Sequence, residues 1–213
     1  MIFDEQIAFK TANYLLQINA IKLNPENPFL WASGWRSPIY CDNRVTLSYP
    51  EIRNYLCEKL ANQIISIYGN DHTIVGVATG AIGIGMLVAN KLDLPFVYVR
   101  PESKTHGRKN KIEGYLSAKS KVVVIEDLIS TGKSSLLAVE ALKKEGANVL
   151  GMLALFTYGF NDAELNFKNA RIKLNTLTNY EYLIKEAIAS GKLDSSMLSK
   201  LNKWREYPNK WKP

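Results

Sequence analysis

The sequence has few of the residues that build metal sites and disulfide frameworks. It holds only two cysteines, Cys41 and Cys57, and two histidines, His72 and His106, in 213 residues. The cysteines form no CxxC pair, and neither has a histidine at ligand spacing. We therefore expect two reduced thiols and no zinc site.

Long hydrophobic runs are also absent. The longest apolar stretch, around Val149–Phe156, is far shorter than the about 20 residues that a membrane-spanning helix needs. The N-terminus carries Asp4 and Glu5 before any apolar stretch, which is unlike a signal peptide. These two absences predict a cytoplasmic protein with no membrane partner.

Acidic residues are outnumbered by basic ones. There are 27 lysines and arginines against 20 aspartates and glutamates, so the formal net charge is +7. Much of the positive charge lies in Arg100–Lys111 and in the tail Lys200–Lys212. An excess of this size suits a nucleic acid, an anionic surface or a polyanionic small substrate. Charge alone therefore leaves the function open.

The first third of the chain predicts a helix, a hairpin and a second helix. Apolar residues at helical spacing predict a helix over Asp4–Ala20, and two short apolar runs around Ser33–Gly34 predict a β-hairpin. A capping-box pattern at Ser48–Glu51, with Pro50 in the first turn, predicts a helix that runs to about Tyr68.

From residue 73 onward, short β-branched runs alternate with helical stretches. This alternation predicts an α/β fold with a parallel twisted sheet and helices on both faces. Residues 1–213 are predicted as one domain, with a helix and hairpin over 1–48, an α/β core over 49–190, and a C-terminal helix and basic tail over 191–213. The strands are predicted at Thr73–Ala78, Phe96–Arg100, Val122–Ile125 and Val149–Thr157, and helices to Lys91 and Glu145 follow the first and third.

The most informative stretch is Lys121–Ser135. A buried β-branched strand is followed by Glu126 and Asp127, then by small and hydroxyl residues, and then by a helix. A glycine-bearing turn at a helix N-terminus offers free N–H groups to a phosphate. Gly132 and the two residues after it match the end of a Walker A loop. However, Asp127 stands where the first glycine of that loop should be, and its carboxylate would repel a nucleoside triphosphate.

This stretch closely resembles the signature with which type I phosphoribosyltransferases bind phosphoribosyl pyrophosphate (PRPP). The resemblance implies that Glu126 and Asp127 hold the ribose 2′ and 3′ hydroxyls and that the following loop holds the 5′-phosphate. It also implies that the turn Thr79–Gly85, beginning with Thr79 and Gly80, gives backbone N–H groups to the pyrophosphate. The implied PRPP contacts after the acidic pair are Leu128, Ile129, Ser130, Thr131, Gly132, Lys133 and Ser134.

A second segment, Arg100–Gly114, is polar, basic and long for a connection. It resembles the mobile loop of orotate phosphoribosyltransferases, which reaches into the neighbouring subunit's site in that family and so implies a homodimer. The resemblance implies that Arg100, Lys104 and His106 neutralise the pyrophosphate as catalytic residues, together with Asp127. The matching positions are Arg100, Lys104, His106, Gly107, Ile112, Glu113 and Gly114; Pro101 departs from members that carry a second lysine there, and Arg108 or Lys109 is its alternative.

The hairpin segment Trp31–Arg44 resembles the hood that covers the base in the same family. Some members place a lysine where Ala32 falls and an arginine near Gly159, and both cations are missing here. We therefore predict that Arg44 binds the orotate carboxylate, because a buried carboxylate needs a charged or multiply hydrogen-bonded partner. The alternatives to Arg44 as the carboxylate partner are the backbone N–H groups of Ser33–Trp35 and the side chain of Arg36. Arg44 could instead pair with Asp42 or Glu51 at the surface. Further predicted orotate contacts are Tyr40 and Ser130.

The resemblance implies transfer of the phosphoribosyl group of PRPP to orotate in pyrimidine synthesis. Mg²⁺ is the implied cofactor, carried by PRPP near Glu126 and Asp127 and not by a direct protein site. A purine phosphoribosyltransferase is one alternative, but it would lack the hood and the Lys104–Gly107 pattern. A PRPP-sensing regulator that binds nucleic acid is another. Residues 1–48 show no helix-turn-helix, so we predict no nucleic-acid partner.

Overall fold

The structure, a computed structural model, describes residues 2–100 and 111–211. Helix α1 (Glu5–Gln17) begins at Asp4, whose side chain accepts a hydrogen bond from the Ile7 amide at 2.8 Å. The helix ends before the predicted Ala20, because Asn19 takes a left-handed φ of 55° and turns the chain away. The prediction of this helix is confirmed except at its C-terminal end.

Two antiparallel strand pairs follow α1 and form the region called the hood below (residues 21–48). The strands are β1 (Ile21–Leu23), β2 (Phe29–Leu30), β3 (Arg36–Ser37) and β4 (Ile39–Cys41). β2 pairs with β3 around Gly34, which confirms the predicted hairpin, and β1 pairs with β4, which was not predicted.

A 3₁₀ helix (Asn43–Ser48) is the last part of the hood and leads into helix α2 (Pro50–Tyr68). The predicted capping box is wrong, because Ser48 is the last residue of the 3₁₀ helix and Tyr49 takes the N-cap position of α2. Within the described chain, no side chain forms a cap hydrogen bond at this helix start. Pro50 occupies the first turn and the helix ends at Tyr68, both as predicted.

A six-stranded sheet forms the centre of the fold, in the order β10-β9-β8-β5-β6-β7. All neighbouring strands are parallel except β7, which pairs antiparallel with β6 at one edge. The predicted parallel sheet is thus confirmed, with the addition of this short edge strand. The strands are β5 (Thr73–Val77), β6 (Phe96–Val99), β7 (Ile112–Glu113), β8 (Lys121–Ile129), β9 (Asn148–Thr157) and β10 (Leu174–Asn179).

Helices cover both faces of the sheet, as predicted. Helices α1, α2, α3, α6 and α7 pack on one face, and α4 and α5 pack on the other. Side chains of β8 alternate between these two cores, so Val123 and Ile125 point to the first and Val122 and Val124 to the second. Among the described helices, none has the length and apolarity to cross a bilayer. The remaining helices are α3 (Ala81–Leu92), α4 (Lys133–Lys144), α5 (Asn161–Ala170), α6 (Tyr180–Ala189) and α7 (Leu198–Glu206), with a second 3₁₀ helix at Ser195–Met197.

Candidate active site

A cavity of about 490 Å³ opens beyond the carboxyl ends of β5, β6 and β8. Its size is within the range of small-molecule sites, about 300–1,000 Å³, and its position is the one at which open parallel sheets bind ligands. The structure therefore brings together segments that are far apart in the sequence. The predicted site residues that line the cavity are Arg44, Thr79, Gly80, Arg100, Glu126, Asp127, Leu128, Ser130, Thr131, Gly132 and Ser134.

Some predicted residues are not brought to this cavity. Ile129 is fully buried, and Lys133 lines a separate groove with Leu136 and Glu140. Tyr40 is 40% exposed and packs against the Phe29 ring. Any contact of these three with substrate stays a prediction. Lys104 and His106 lie outside the described residues.

The cavity is also lined by residues that were not predicted as site residues, among them Cys41, Lys111 and Asp42, of which Asp42 was expected only as a possible partner of Arg44. Side chains alternate along β4, so Cys41 points to the face opposite Tyr40. The alternation of β4 thus brings Cys41, and not the predicted Tyr40, to the cavity. Burial, with the nearby charges of Asp127 and Asp42, holds the pKa of the Cys41 thiol well above its ordinary value. The thiol is therefore neutral in the site.

The turn between β8 and α4 presents a helix N-terminus to the cavity. Gly132 precedes α4 in a left-handed conformation with φ of 75°, and a Cβ there would approach the Phe167 ring to 2.6 Å. No side chain of the described residues forms a cap hydrogen bond on α4. Its first-turn N–H groups are thus available to an anion. Asn166 holds the turn by donating to the Thr131 carbonyl at 2.9 Å.

The two acidic residues of β8 are not equivalent. The sequence predicted that both follow the strand, but β8 continues to Ile129, so Glu126 and Asp127 alternate between its faces. Glu126 is 5% exposed; its Oε1 accepts from the Asp127 amide at 3.0 Å, and its Oε2 accepts from the Ser135 hydroxyl at 2.8 Å. Burial, followed by the negative charge of Asp127, raises the pKa of Glu126 well above its ordinary value. Glu126 therefore favours its neutral form.

The Asp127 carboxyl group lies directly beside Gly80, the residue before helix α3. A Cβ on Gly80 would overlap the carboxyl atoms of Asp127, and these are the nearest atoms to that position. Glycine at position 80 is therefore favoured by the close approach of the Asp127 side chain and not by backbone conformation, since its φ of −61° and ψ of −39° suit any residue. The carboxylate of Asp127 is thus held where the turn after β5 meets the end of β8.

Arg44 is occupied by an intramolecular partner. Its Nε donates to Asp42 Oδ1 at 2.6 Å, and its Nη2 donates to Asp42 Oδ2 at 2.7 Å. This hydrogen bonding lowers the pKa of Asp42 and raises that of Arg44. Of the two competing partners foreseen from the sequence, the structure has Asp42. The Arg44 side chain is 57% exposed and lines the cavity, and its role toward a substrate carboxylate stays a prediction.

Basic groups line the cavity where β6 and β7 meet. The Arg100 amide donates to the Lys111 carbonyl at 2.8 Å, and Arg100 Nη1 lies 3.3 Å from Glu113 Oε1. Arg100 and Lys111 both line the cavity. The two residues that flank positions 101–110 therefore lie side by side at the site and give this wall a positive charge.

The carboxylates of the cavity form no preassembled metal cage. Among residues 2–100 and 111–211, no group of three or more histidine, cysteine, aspartate or glutamate residues is placed to hold an ion. Asp127 and Asp42 nevertheless bring carboxylate oxygens to the cavity wall. Mg²⁺ on phosphates keeps several waters and needs only one or two carboxylates. These residues therefore fit an ion that arrives on a polyphosphate substrate.

Comparison with known proteins gives a consistent result. The family model described as "Phosphoribosyl transferase domain" matches residues 49–179. The chain is 54% identical over 200 residues to an orotate phosphoribosyltransferase of Porphyromonas gingivalis, covering 94% of this chain and 95% of that protein. It is also 54% identical to an orotate phosphoribosyltransferase of Bacteroides thetaiotaomicron, covering 94% of each chain. A crystal structure of orotate phosphoribosyltransferase from Aeropyrum pernix superposes with a TM-score of 0.69 at 27% identity, covering 86% of this chain and 99% of that one.

Proposed function

The chain belongs to the orotate phosphoribosyltransferases, and we propose that the cavity described above is where it transfers the phosphoribosyl group of PRPP to orotate. The products are orotidine 5′-monophosphate and pyrophosphate, and the pathway is pyrimidine synthesis. The observation that carries the site assignment is the meeting of an uncapped helix N-terminus, the Asp127 carboxylate and the Arg100–Lys111 wall in one cavity.

We place the 5′-phosphate of PRPP at the turn before α4. Thr131, Gly132 and Ser134 line the cavity there, and the positive end of the helix dipole favours a dianion. The ribose then lies toward Asp127, whose ionised carboxylate accepts hydrogen bonds from sugar hydroxyls. Glu126, which also lines the cavity, accepts a hydrogen bond from the Asp127 amide and in this proposal supports the ribose contact of Asp127.

In this proposal, the leaving pyrophosphate lies at the cavity wall formed by Arg100 and Lys111, away from the turn before α4. Arg100 and Lys111 offer positive charge, and Thr79 and Gly80 offer backbone groups. No covalent enzyme nucleophile is needed, because a ring nitrogen of orotate displaces the pyrophosphate. Catalysis then depends on stabilising charge in the transition state, where the ribose becomes cationic and the leaving group gains negative charge. Lys104 and His106 are proposed to add to this neutralisation.

Mg²⁺ bound to PRPP would be held near Asp127 and Glu126, and it would offset the charge of the pyrophosphate oxygens. Arg44 is our proposed partner for the orotate carboxylate. Its planar guanidinium forms two parallel hydrogen bonds with a carboxylate, as it does with Asp42 here. Orotate would therefore have to share or displace Asp42. Ser130, which also lines the cavity, is a further proposed orotate contact.

We also propose that the protein acts as a homodimer in which the part of the Arg100–Gly114 loop that carries Lys104 serves the neighbouring subunit's site, while Arg100 and Lys111 line the cavity of their own chain. A Lys104→Ala protein and an Asp127→Ala protein should each be nearly inactive. After mixing and subunit exchange, part of the activity should return, because each heterodimer then has one site with both residues intact. Exchange without any recovery would show that the loop acts within its own subunit.

Substrate choice is tested by offering several bases under the same conditions. Pyrophosphate release is measured with PRPP and Mg²⁺ and with orotate, uracil, hypoxanthine or no base. Orotate should give the fastest release, because its carboxylate has a cationic partner in Arg44 and the other bases lack that group. Faster release with hypoxanthine would support the purine alternative. Release that needs no base would instead indicate PRPP hydrolysis.

A further inference from the structure

Asn43, the first residue of the 3₁₀ helix after the hood strands, has no part in the proposed site so far. It is 1% exposed, and both polar atoms of its side chain form a hydrogen bond. Its Nδ2 donates to the Asp127 carbonyl at 2.6 Å, and its Oδ1 accepts from the Cys41 thiol at 3.2 Å. A short hydrogen bond therefore connects the hood to the backbone of Asp127, the proposed ribose-binding residue.

The backbone of Asp127 has a particular need for such a partner. The pairing of β5 with β8 ends at Gly76 and Ile125, whereas β8 continues to Ile129. Beyond Ile125, no strand formed by residues 2–100 or 111–211 pairs with the side of β8 that faces β5. The Asp127 amide donates to Glu126 Oε1, and its carbonyl accepts from Asn43. Side chains thus satisfy both polar groups at a point where the sheet no longer does.

We propose that Asn43 is a positioning residue for PRPP, acting through Asp127. By holding the Asp127 carbonyl, it fixes the peptide orientation that keeps the carboxylate beside Gly80 at the ribose site. This inference rests on the proposed role of Asp127 in binding the ribose. It assigns to the hood a second task besides covering the base, namely to hold the ribose-binding strand in place.

The expected effect follows from the loss of a buried donor. Without Asn43 Nδ2, the Asp127 carbonyl is left unsatisfied in a half-buried position, and the peptide turns to find water or another donor. Losing a buried hydrogen-bond partner has an effect equivalent to about 5- to 150-fold in an equilibrium constant. Asn43 touches neither the phosphate turn nor Arg100 in its described hydrogen bonds, so the loss should fall on the sugar part of PRPP.

The test compares Asn43→Ala with a matched control, Thr46→Val. Thr46 lies in the same 3₁₀ helix, is 1% exposed, and donates its hydroxyl to the Asn43 carbonyl at 2.6 Å. Its replacement removes one buried hydrogen bond from the same helix without touching Asp127. PRPP with Mg²⁺ is titrated calorimetrically into each protein in the absence of orotate. KM values for PRPP and orotate are then measured separately, with thermal unfolding as the check on stability.

Asn43→Ala should bind PRPP about 10-fold or more weakly, while its KM for orotate changes less than about threefold. Thr46→Val should bind PRPP like the unmodified protein. If Asn43→Ala does not fold, Asn43→Leu keeps the branched shape of the side chain without a donor or a charge, and it should show the same loss. Equal PRPP affinity in Asn43→Ala and Thr46→Val, or equal rises in both KM values, would overturn the inference. An unmodified protein that fails to bind PRPP would instead overturn the proposed function.

Discussion

Replacing Gly80 with alanine should damage the ribose site without removing any polar group from it. The added methyl group would occupy the space of the Asp127 carboxyl group, so one of them must move. The backbone of Gly80 is helical, with φ of −61° and ψ of −39°, and alanine adopts this conformation without strain. The perturbation is therefore purely steric and is directed at Asp127.

The size of the effect follows from what Asp127 is proposed to do. A hydrogen bond between an ionised carboxylate and a hydroxyl contributes about 1.5–3 kcal/mol, so loss of one such bond weakens binding about 10- to 150-fold. Overpacking a tight contact costs about 1–3 kcal/mol of stability. The cost should lie near the lower end, because the Asp127 side chain can rotate toward the open cavity. The loss in free energy of PRPP binding should therefore be larger than the loss in free energy of unfolding.

Gly83→Ala provides a matched control in the same helix. Its Cβ would approach the methyl groups of Leu47 to 2.9 Å, and these are the far end of a flexible side chain. PRPP affinity is measured by calorimetry and stability by urea denaturation for both variants. Gly80→Ala should lose PRPP binding, and Gly83→Ala should retain it. A Gly80→Ala protein that binds PRPP as tightly as Gly83→Ala would refute the placement of Asp127 at the ribose.

Three further changes test other parts of the site. The raised pKa of Glu126 means that the folded protein keeps a proton that the unfolded chain releases, so this residue lowers stability as pH rises above the ordinary glutamate range. The unfolding temperature of Glu126→Gln should therefore rise relative to that of the unmodified protein as pH increases above about 4, and a difference that is constant with pH would contradict this. Ser135→Ala leaves Glu126 Oε2 without its hydroxyl donor and should cost about 1–3 kcal/mol in urea unfolding; no change would show that water replaces the hydroxyl. Arg44→Ala should raise the KM for orotate about 10- to 150-fold, far more than the KM for PRPP, and equal changes would place the carboxylate elsewhere.

The sequence predicted the parts of the fold that depend on local patterns. Two examples are the strand–helix alternation after residue 73 and the glycine-bearing turn at Gly132, since each is recognisable from residues that are consecutive in the sequence. Strand β10 was missed because Asn175, Thr176 and Thr178 are buried polar residues, which hide the apolar pattern of a strand. The end of β8 was placed too early, because Glu126 and Asp127 have low strand propensity. Pairing of this segment with β9 overrides that propensity.

Contacts between residues that are far apart in the sequence could not be predicted from local patterns. Asn43 and Asp127 are separated by 84 positions, and nothing local to either residue indicates their hydrogen bond. The pairing of Arg44 with Asp42 was foreseen as one alternative, but only the geometry selects it over Glu51. The unequal burial of the two β8 acids follows from strand alternation once the true strand end is known. The sequence motifs therefore predicted the type of reaction, and the three-dimensional structure was needed to distinguish the roles of the individual residues.

Orotate turnover tests the central claim most directly. The loss of orotate absorbance is followed with Mg²⁺ and with PRPP held well below its KM for the unmodified protein and for Asp127→Ala, at equal concentrations of folded protein. The unmodified protein should consume orotate, and the variant should do so at least about 10-fold more slowly because the ribose loses its carboxylate partner. An unmodified protein that leaves orotate unchanged, or an Asp127→Ala protein that is equally active, would contradict the assignment of this cavity.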